Sequence, residues 1–154
     1  MKILIDIGHP AHVHYFRNLI KALEKKDYKF IVVSRDKEVS HELLKKYNIQ
    51  YYSRGKGGKG LFGKFISLFK NNIQLLYYSI IHKPDFFISF ASPYAAQVSW
   101  ILRKPHLVIT DTEHANISNL ITNPFTDIIL TPDCFLKYFG KNHDSNDSII
   151  NNKQ

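Results

Sequence analysis

Three histidines, His9, His12 and His14, fall within "GHPAHVHYF" (residues 8–16), directly after the apolar run "KILIDI". Imidazoles this close together can ligate a metal, move protons or cap a helix. The metal reading is the weakest. No acidic residue lies between them in a zinc-protease pattern, and there is no cysteine pair. Val13, Phe16, Ile20 and Leu23 recur at helical spacing. At about 100° per residue, His12 then falls at the edge of the buried stripe and His14 almost opposite it. The two do not converge on one ion, and no metal site is expected. His12 is expected either to pack near the sheet edge or to join the binding residues of this loop, and His14, on the outer face, to be the best placed to touch a ligand. His9 precedes Pro10 at the expected N-cap, where free backbone N–H groups attract anions.

A second loaded stretch is "TDTEHA" (110–115), with Asp111, Glu113 and His114 at a strand end. A carboxylate there can orient a histidine or act as a general base. The same residues also suit a helix start, with Asp111 or Thr112 as cap and Glu113 in the first turn. A third stretch is "SRGKGGKG" (53–60). It nominally satisfies G-x-G-x-x-G at Gly55, Gly57 and Gly60, and it has Walker-like spacing from Gly55 to Gly60. Both readings fail on context. The loop follows the third predicted strand, and Gly60 is followed by Leu61 and Phe62. The backbone at Gly57 and Gly58 can still approach a phosphate, with Arg54, Lys56, Lys59 and Lys64 supplying charge. A solvated loop is the alternative.

The elements that must position these residues alternate strand and helix six times. Strands are predicted at 2–7, 29–34, 49–52, 86–90, 106–110 and 127–131. Helices are predicted at 11–26, 36–47, about 62–82, 92–104, 113–122 and 132–140. The central strands are continuous apolar runs. This predicts an α/β protein, a Rossmann-like parallel sheet with helices on both faces in three α/β/α layers. Ligands of such sheets bind beyond the carboxyl ends of the strands. That rule selects Gly8–His14, the 53–60 loop, Ala91–Tyr94 and Asp111–His114.

Composition bounds the rest. A chain of 154 residues with 44% hydrophobic content supports one folded domain. Cys134 is the only cysteine, which excludes an internal disulfide and suits a reducing, cytoplasmic compartment. The N-terminus enters a strand at once and has no secretory apolar segment. Polar residues interrupt the apolar stretch from Leu61 to Ile81, so no bilayer-spanning run exists. The net charge of +8 points to an anionic partner. The basic 53–60 loop beside aromatic residues suggests one such partner, an anionic membrane surface contacted peripherally from the inner face. Residues 142–154 lack periodicity and are expected to form a disordered polar tail.

Taken together, "IDIGHPAHVHYFRNLIKALEKKDYKFIVVSRD", "ASPYAAQVS", "DTEHA" and "ILTPDCF" resemble the family catalogued as domain of unknown function 354. That family is similar to GT-B glycosyltransferases and to UDP-N-acetylglucosamine 2-epimerases. The resemblance covers residues 1 to about 141. It implies the N-terminal, acceptor-side domain of a GT-B fold, facing a nucleotide-sugar domain across a cleft. Gly8, His9 and His14 then match the loop and helix start at the cleft, Ser92, Pro93 and Tyr94 the "SPY" turn, and Asp111, Glu113 and His114 the "DTEH" motif. Glu113 or His14 is the expected base for an acceptor hydroxyl. No cofactor is required, and the expected partners are a sugar nucleotide and an acceptor, not nucleic acid. The sequence stops where a second domain is expected, so the chain is expected to be an N-terminal half that is inactive alone. The alternatives are half of a sugar-nucleotide epimerase and a non-catalytic domain that binds an anion or a membrane surface.

Overall fold

The first apolar run forms β1 (Lys2–Ile7), the strand on which the rest of the sheet is organised. The computed structural model describes residues 1–58, 60–111, 116–132 and 143–145. After β1 come α1 (Pro10–Glu24), β2 (Lys29–Ser34), α2 (Ser40–Lys46), β3 (Tyr52–Ser53) and α3 (Gly60–His82). Then follow β4 (Phe86–Phe90), α4 (Pro93–Ile101), β5 (His106–Ile109), α5 (Asn116–Thr122), β6 (Ile128–Thr131) and β7 (His143–Ser145). The sheet order is β3-β2-β1-β4-β5-β6-β7, and every ladder is parallel. The chain winds outward from β1 to β3, then crosses back through α3 to β4. The space between β1 and β4 is therefore the switch point of the sheet. This is the expected Rossmann-like α/β fold.

Each face of the sheet has its own core. On one face Ile3, Ile5 and Ile7 pack with Val13, Phe16 and Ile20 of α1 and Leu44 of α2. On the other, Leu4, Ile31, Val33 and Phe87 pack with Leu75 of α3 and Ala95 and Val98 of α4. Strands buried on both faces read as continuous apolar runs, which is why their periodicity carried no alternation.

The two helices that begin at the switch point are built alike. α1 is capped by His9, whose Nδ1 accepts from the Ala11 N–H at 3.2 Å, with Pro10 following. α4 is capped by Ser92, whose hydroxyl accepts from the Ala95 N–H at 3.4 Å, with Pro93 following. Proline at the first helical position loses no hydrogen bond and presets the backbone.

Some predicted boundaries move. The second helix starts at Ser40, not at 36, because Glu38 turns the chain at φ 51° and the Ser40 hydroxyl closes the turn onto the Lys37 carbonyl. The third strand pairs only at Tyr52 and Ser53. The expected structureless tail does not hold at residues 143–145, which pair with Ile129–Thr131 as β7. Backbone pairing along the edge of β6 replaces the apolar content that this segment lacks. The predicted helix at 132–140 lies almost wholly outside the described residues, as does the tail from 146.

Candidate functional site

A cleft of about 480 Å³ opens at the carboxyl ends of β1, β2, β4 and β5. Gly8, His9 and His12 line it from the β1–α1 turn, and Ala91–Tyr94 from the β4–α4 turn. Arg35, Arg54 and Asp111 complete its polar wall, and Tyr15 and Phe90 its apolar wall. A larger groove of about 820 Å³ lies at the opposite strand ends, beside Trp100, Arg103, Phe125 and Asp127. Asp127 there already accepts the His106 backbone N–H at 2.8 Å. Ligands of open parallel sheets bind at the carboxyl ends, and the convergent polar groups are in the first cleft.

His12 is the third residue of α1. Helical side chains lean toward the N-terminus, and its ring folds back so that Nδ1 accepts the Gly8 N–H at 3.3 Å. It also stacks on Phe90 at 4.6 Å. Burial, helped by the neighbouring His9, lowers its pKa from 6.5 to about 4, against an opposing pull from Asp111. The ring is neutral near pH 7. With Nδ1 accepting, its proton is assigned to Nε2, so His12 is a hydrogen-bond donor at the cleft.

Beneath the cleft lies a carboxylate that the sequence analysis did not single out. Asp6, the last residue but one of β1, is fully buried. Arg54 Nη2 donates to its Oδ2 at 3.1 Å, and Nε lies 2.9 Å from Oδ1 as a charge contact. The Ser92 hydroxyl donates to the same Oδ2. The Arg54 guanidinium also covers the Tyr94 ring at 4.4 Å, and its Nη1 is left without an acceptor. Arg54 is therefore not the loose loop cation expected. It is 2% exposed and ties the β3 exit to β1 and α4. An acidic residue inside an apolar strand was the signal available, because a buried carboxylate needs a partner. Arg35, Tyr15 and Phe90 were also missed; Arg35 directly follows β2, Phe90 ends β4, and Tyr15 follows His14 within α1.

Other expected residues lie elsewhere. His14 faces α2, with its Nδ1 3.4 Å from the Tyr47 hydroxyl, and is not among the cleft residues. Two residues beyond His12 places it roughly 200° further round the helix. Gly57 and Gly58 do not line the cleft either. A side chain at Gly57 would fall on the Arg35 guanidinium, and one at Gly58 on the Gly63 carbonyl of α3. Their small size serves close packing. Glu113 and His114 lie outside the described residues. Among the described residues, no three His, Cys, Asp or Glu side chains are grouped to hold a metal.

The cleft is thus a donor-rich pocket with Arg35 and Asp111 in its wall, between the starts of two helices, at the switch point of a Rossmann-like sheet. The chain belongs to the family described as Protein of unknown function (DUF354), whose model matches residues 1–151. It is 32% identical over 132 residues to uncharacterized protein MJ0665 of Methanocaldococcus jannaschii, covering 86% of this chain and 39% of that one. The fold is similar to MurG of Acinetobacter baumannii, at TM-score 0.75 and 15% identity over 94% of this chain and 45% of that one. It is also similar to the UDP-GlcNAc 2-epimerase of M. jannaschii, solved with UDP-GlcNAc and UDP, at TM-score 0.69 and 18% identity over 86% of this chain and 41% of that one. The SsfS6 glycosyltransferase of Streptomyces sp. SF2575 follows at TM-score 0.63 and 11% identity, over 85% of this chain and 50% of that one. This chain therefore has a glycosyltransferase-like, GT-B-type Rossmann fold and spans about two fifths of the curated relative's length.

Proposed function

We propose that this domain forms one wall of a sugar-nucleotide cleft and acts with a second domain that supplies the other wall. The observation that carries this reading is the neutral His12, whose Nδ1 is held by the Gly8 N–H and which lines the same cleft as the α1 N-terminus and Arg35. Helix N-termini and a guanidinium suit a diphosphate. A neutral imidazole donor suits a sugar or phosphate oxygen without adding a full charge. Asp111, at the cleft rim, is the base in this reading. It takes the proton of an acceptor hydroxyl as that oxygen bonds to the anomeric carbon and the diphosphate leaves with the electrons of the broken glycosyl bond. Glu113, two residues on, is the second candidate for that proton. The same pocket suits a sugar-nucleotide epimerase half, in which the base works on the sugar itself.

Titration with UDP-N-acetylglucosamine, followed by protein NMR, tests the binding step. Shifts should appear at Gly8, His12 and Tyr94. Arg35→Ala and His12→Phe should each weaken binding by roughly tenfold, the scale of one charge-assisted hydrogen bond. Saturable binding unaffected by either change, or no binding of any uridine diphosphate sugar, overturns the reading.

A further inference from the structure

The two helix layers differ in kind. The exposed side of α1 and α2 mixes charges, with Lys21, Glu24, Glu42, Lys45 and Lys46 in solvent. The outer side of α3 is apolar. Ile66, Ile73, Tyr77 and Ile80 recur along one face and are 52%, 67%, 60% and 58% exposed, with Ile81 beside them at 53%. Neighbouring α4 ends in Trp100 and Ile101, 63% and 55% exposed. An exposed apolar face of this extent marks an interaction site.

Charge decides what covers it. Between Glu42 and Asp85 the sequence has no Asp or Glu, and from Asp85 to Asp111 none intervenes. Lys70, Lys83, Arg103 and Lys104 are exposed on or beside this layer. A second copy of the chain on the same face would set these cations against one another, and like charges across an interface are strongly unfavourable. An apolar stripe bordered by cations, with the exposed carboxylates Asp85 and Asp127 at the strand ends tied to the Lys2 and His106 backbone N–H groups, matches the interface of an anionic bilayer, where apolar side chains enter the acyl boundary and cations meet headgroups. No helix among the described residues is long and apolar enough to cross a membrane.

We propose that the outer face of α3, with the end of α4, lies on an anionic lipid surface. The contact expected at the 53–60 loop is thereby moved to the helix face behind it. The proposal is independent of what the cleft binds.

Trp100 is the only tryptophan and is 63% exposed at the end of α4, where one edge packs on Phe125, so its emission reports contact at that end of the layer. The full chain is mixed with vesicles of phosphatidylcholine alone, or of equal parts phosphatidylcholine and phosphatidylglycerol. Co-sedimentation and Trp100 emission are followed, with sedimentation velocity of the lipid-free protein. Binding to the anionic vesicles with a blue shift of Trp100 is expected. Ile73→Ser with Tyr77→Ser should weaken it roughly tenfold, and Lys70→Glu with Lys104→Glu by a similar factor. All four positions are exposed, and a circular dichroism melt checks that each variant is folded. The proposal is overturned by absence of binding, by binding that leaves Trp100 unchanged, by equal binding in the apolar variant, or by a lipid-free dimer that already buries Trp100.

Discussion

Asp6 and Arg54 show how a single buried residue organises the cleft. A buried ion pair adds little net stability compared with an apolar pair of similar volume, but removing one partner leaves an uncompensated charge. Asp6→Ala strands the Arg54 guanidinium and frees the Ser92 hydroxyl. We expect it to cost about 3–5 kcal/mol in urea unfolding, with Tyr94 losing its packing against the guanidinium. A loss well under 1 kcal/mol would mean that Arg54 escapes to solvent. His106 gives a pH-dependent test at the same scale. It is fully buried, with Nε2 accepting from the Ser89 hydroxyl at 2.9 Å and Nδ1 donating to the Thr126 hydroxyl at 3.0 Å. The Thr126 hydroxyl in turn donates to the Thr122 carbonyl, which fixes these roles. Burial lowers the His106 pKa from 6.5 to about 3. The unfolded chain therefore binds a proton in that interval and the folded one does not. This contribution is complete above about pH 6.5 and is lost as pH falls toward about 3. His12 acts in the same direction toward about 4. The melting temperature should fall between about pH 7 and about pH 4, and the drop should be smaller in His106→Gln.

The elements show which parts of the site the sequence made legible. β1, β2 and β4 end where the apolar runs end, and both capped helix starts at the switch point were readable from a polar residue followed by proline. The choice between His12 and His14 was not. A helical wheel ranks residues by angle about the axis, but this cleft lies off the end of α1. The first-turn residue that leans back over Gly8 reaches it, whatever its angle. The glycine loop is a different case. Its composition suggested a phosphate cradle, and the structure uses Gly58 to seat the loop against the backbone of α3. Gly58→Ala must displace a helix carbonyl, so it should destabilise the fold by about 1–3 kcal/mol. Gly57→Ala meets only the flexible end of Arg35 and should cost less, while shifting the NMR signals of Arg35. Equal losses for the two would show that the loop moves freely as a unit.

At the scale of the molecule, the layer order followed from alternation of strand and helix, and the two-sided core from strands apolar on both faces. The difference between a charged helix layer and an apolar one was hidden. In α3 both sides are apolar, and a linear pattern does not say which side meets the sheet; the buried position of Leu75 does. The place of β1 has one more consequence. Ile3 pairs with Phe30 on one side and Phe86 on the other. The Lys2 N–H is closed by the Asp85 carboxylate, 83 residues later. At a synthesis rate of about 5–20 residues per second, that partner arrives about 4–17 s after β1. Until then the growing chain holds β1, β2 and β3 with α1 and α2 on one face, and an open β1 edge above a bare apolar face. The nascent half-sheet therefore leaves an apolar face and an open strand edge uncovered until α3 and β4 pack onto it.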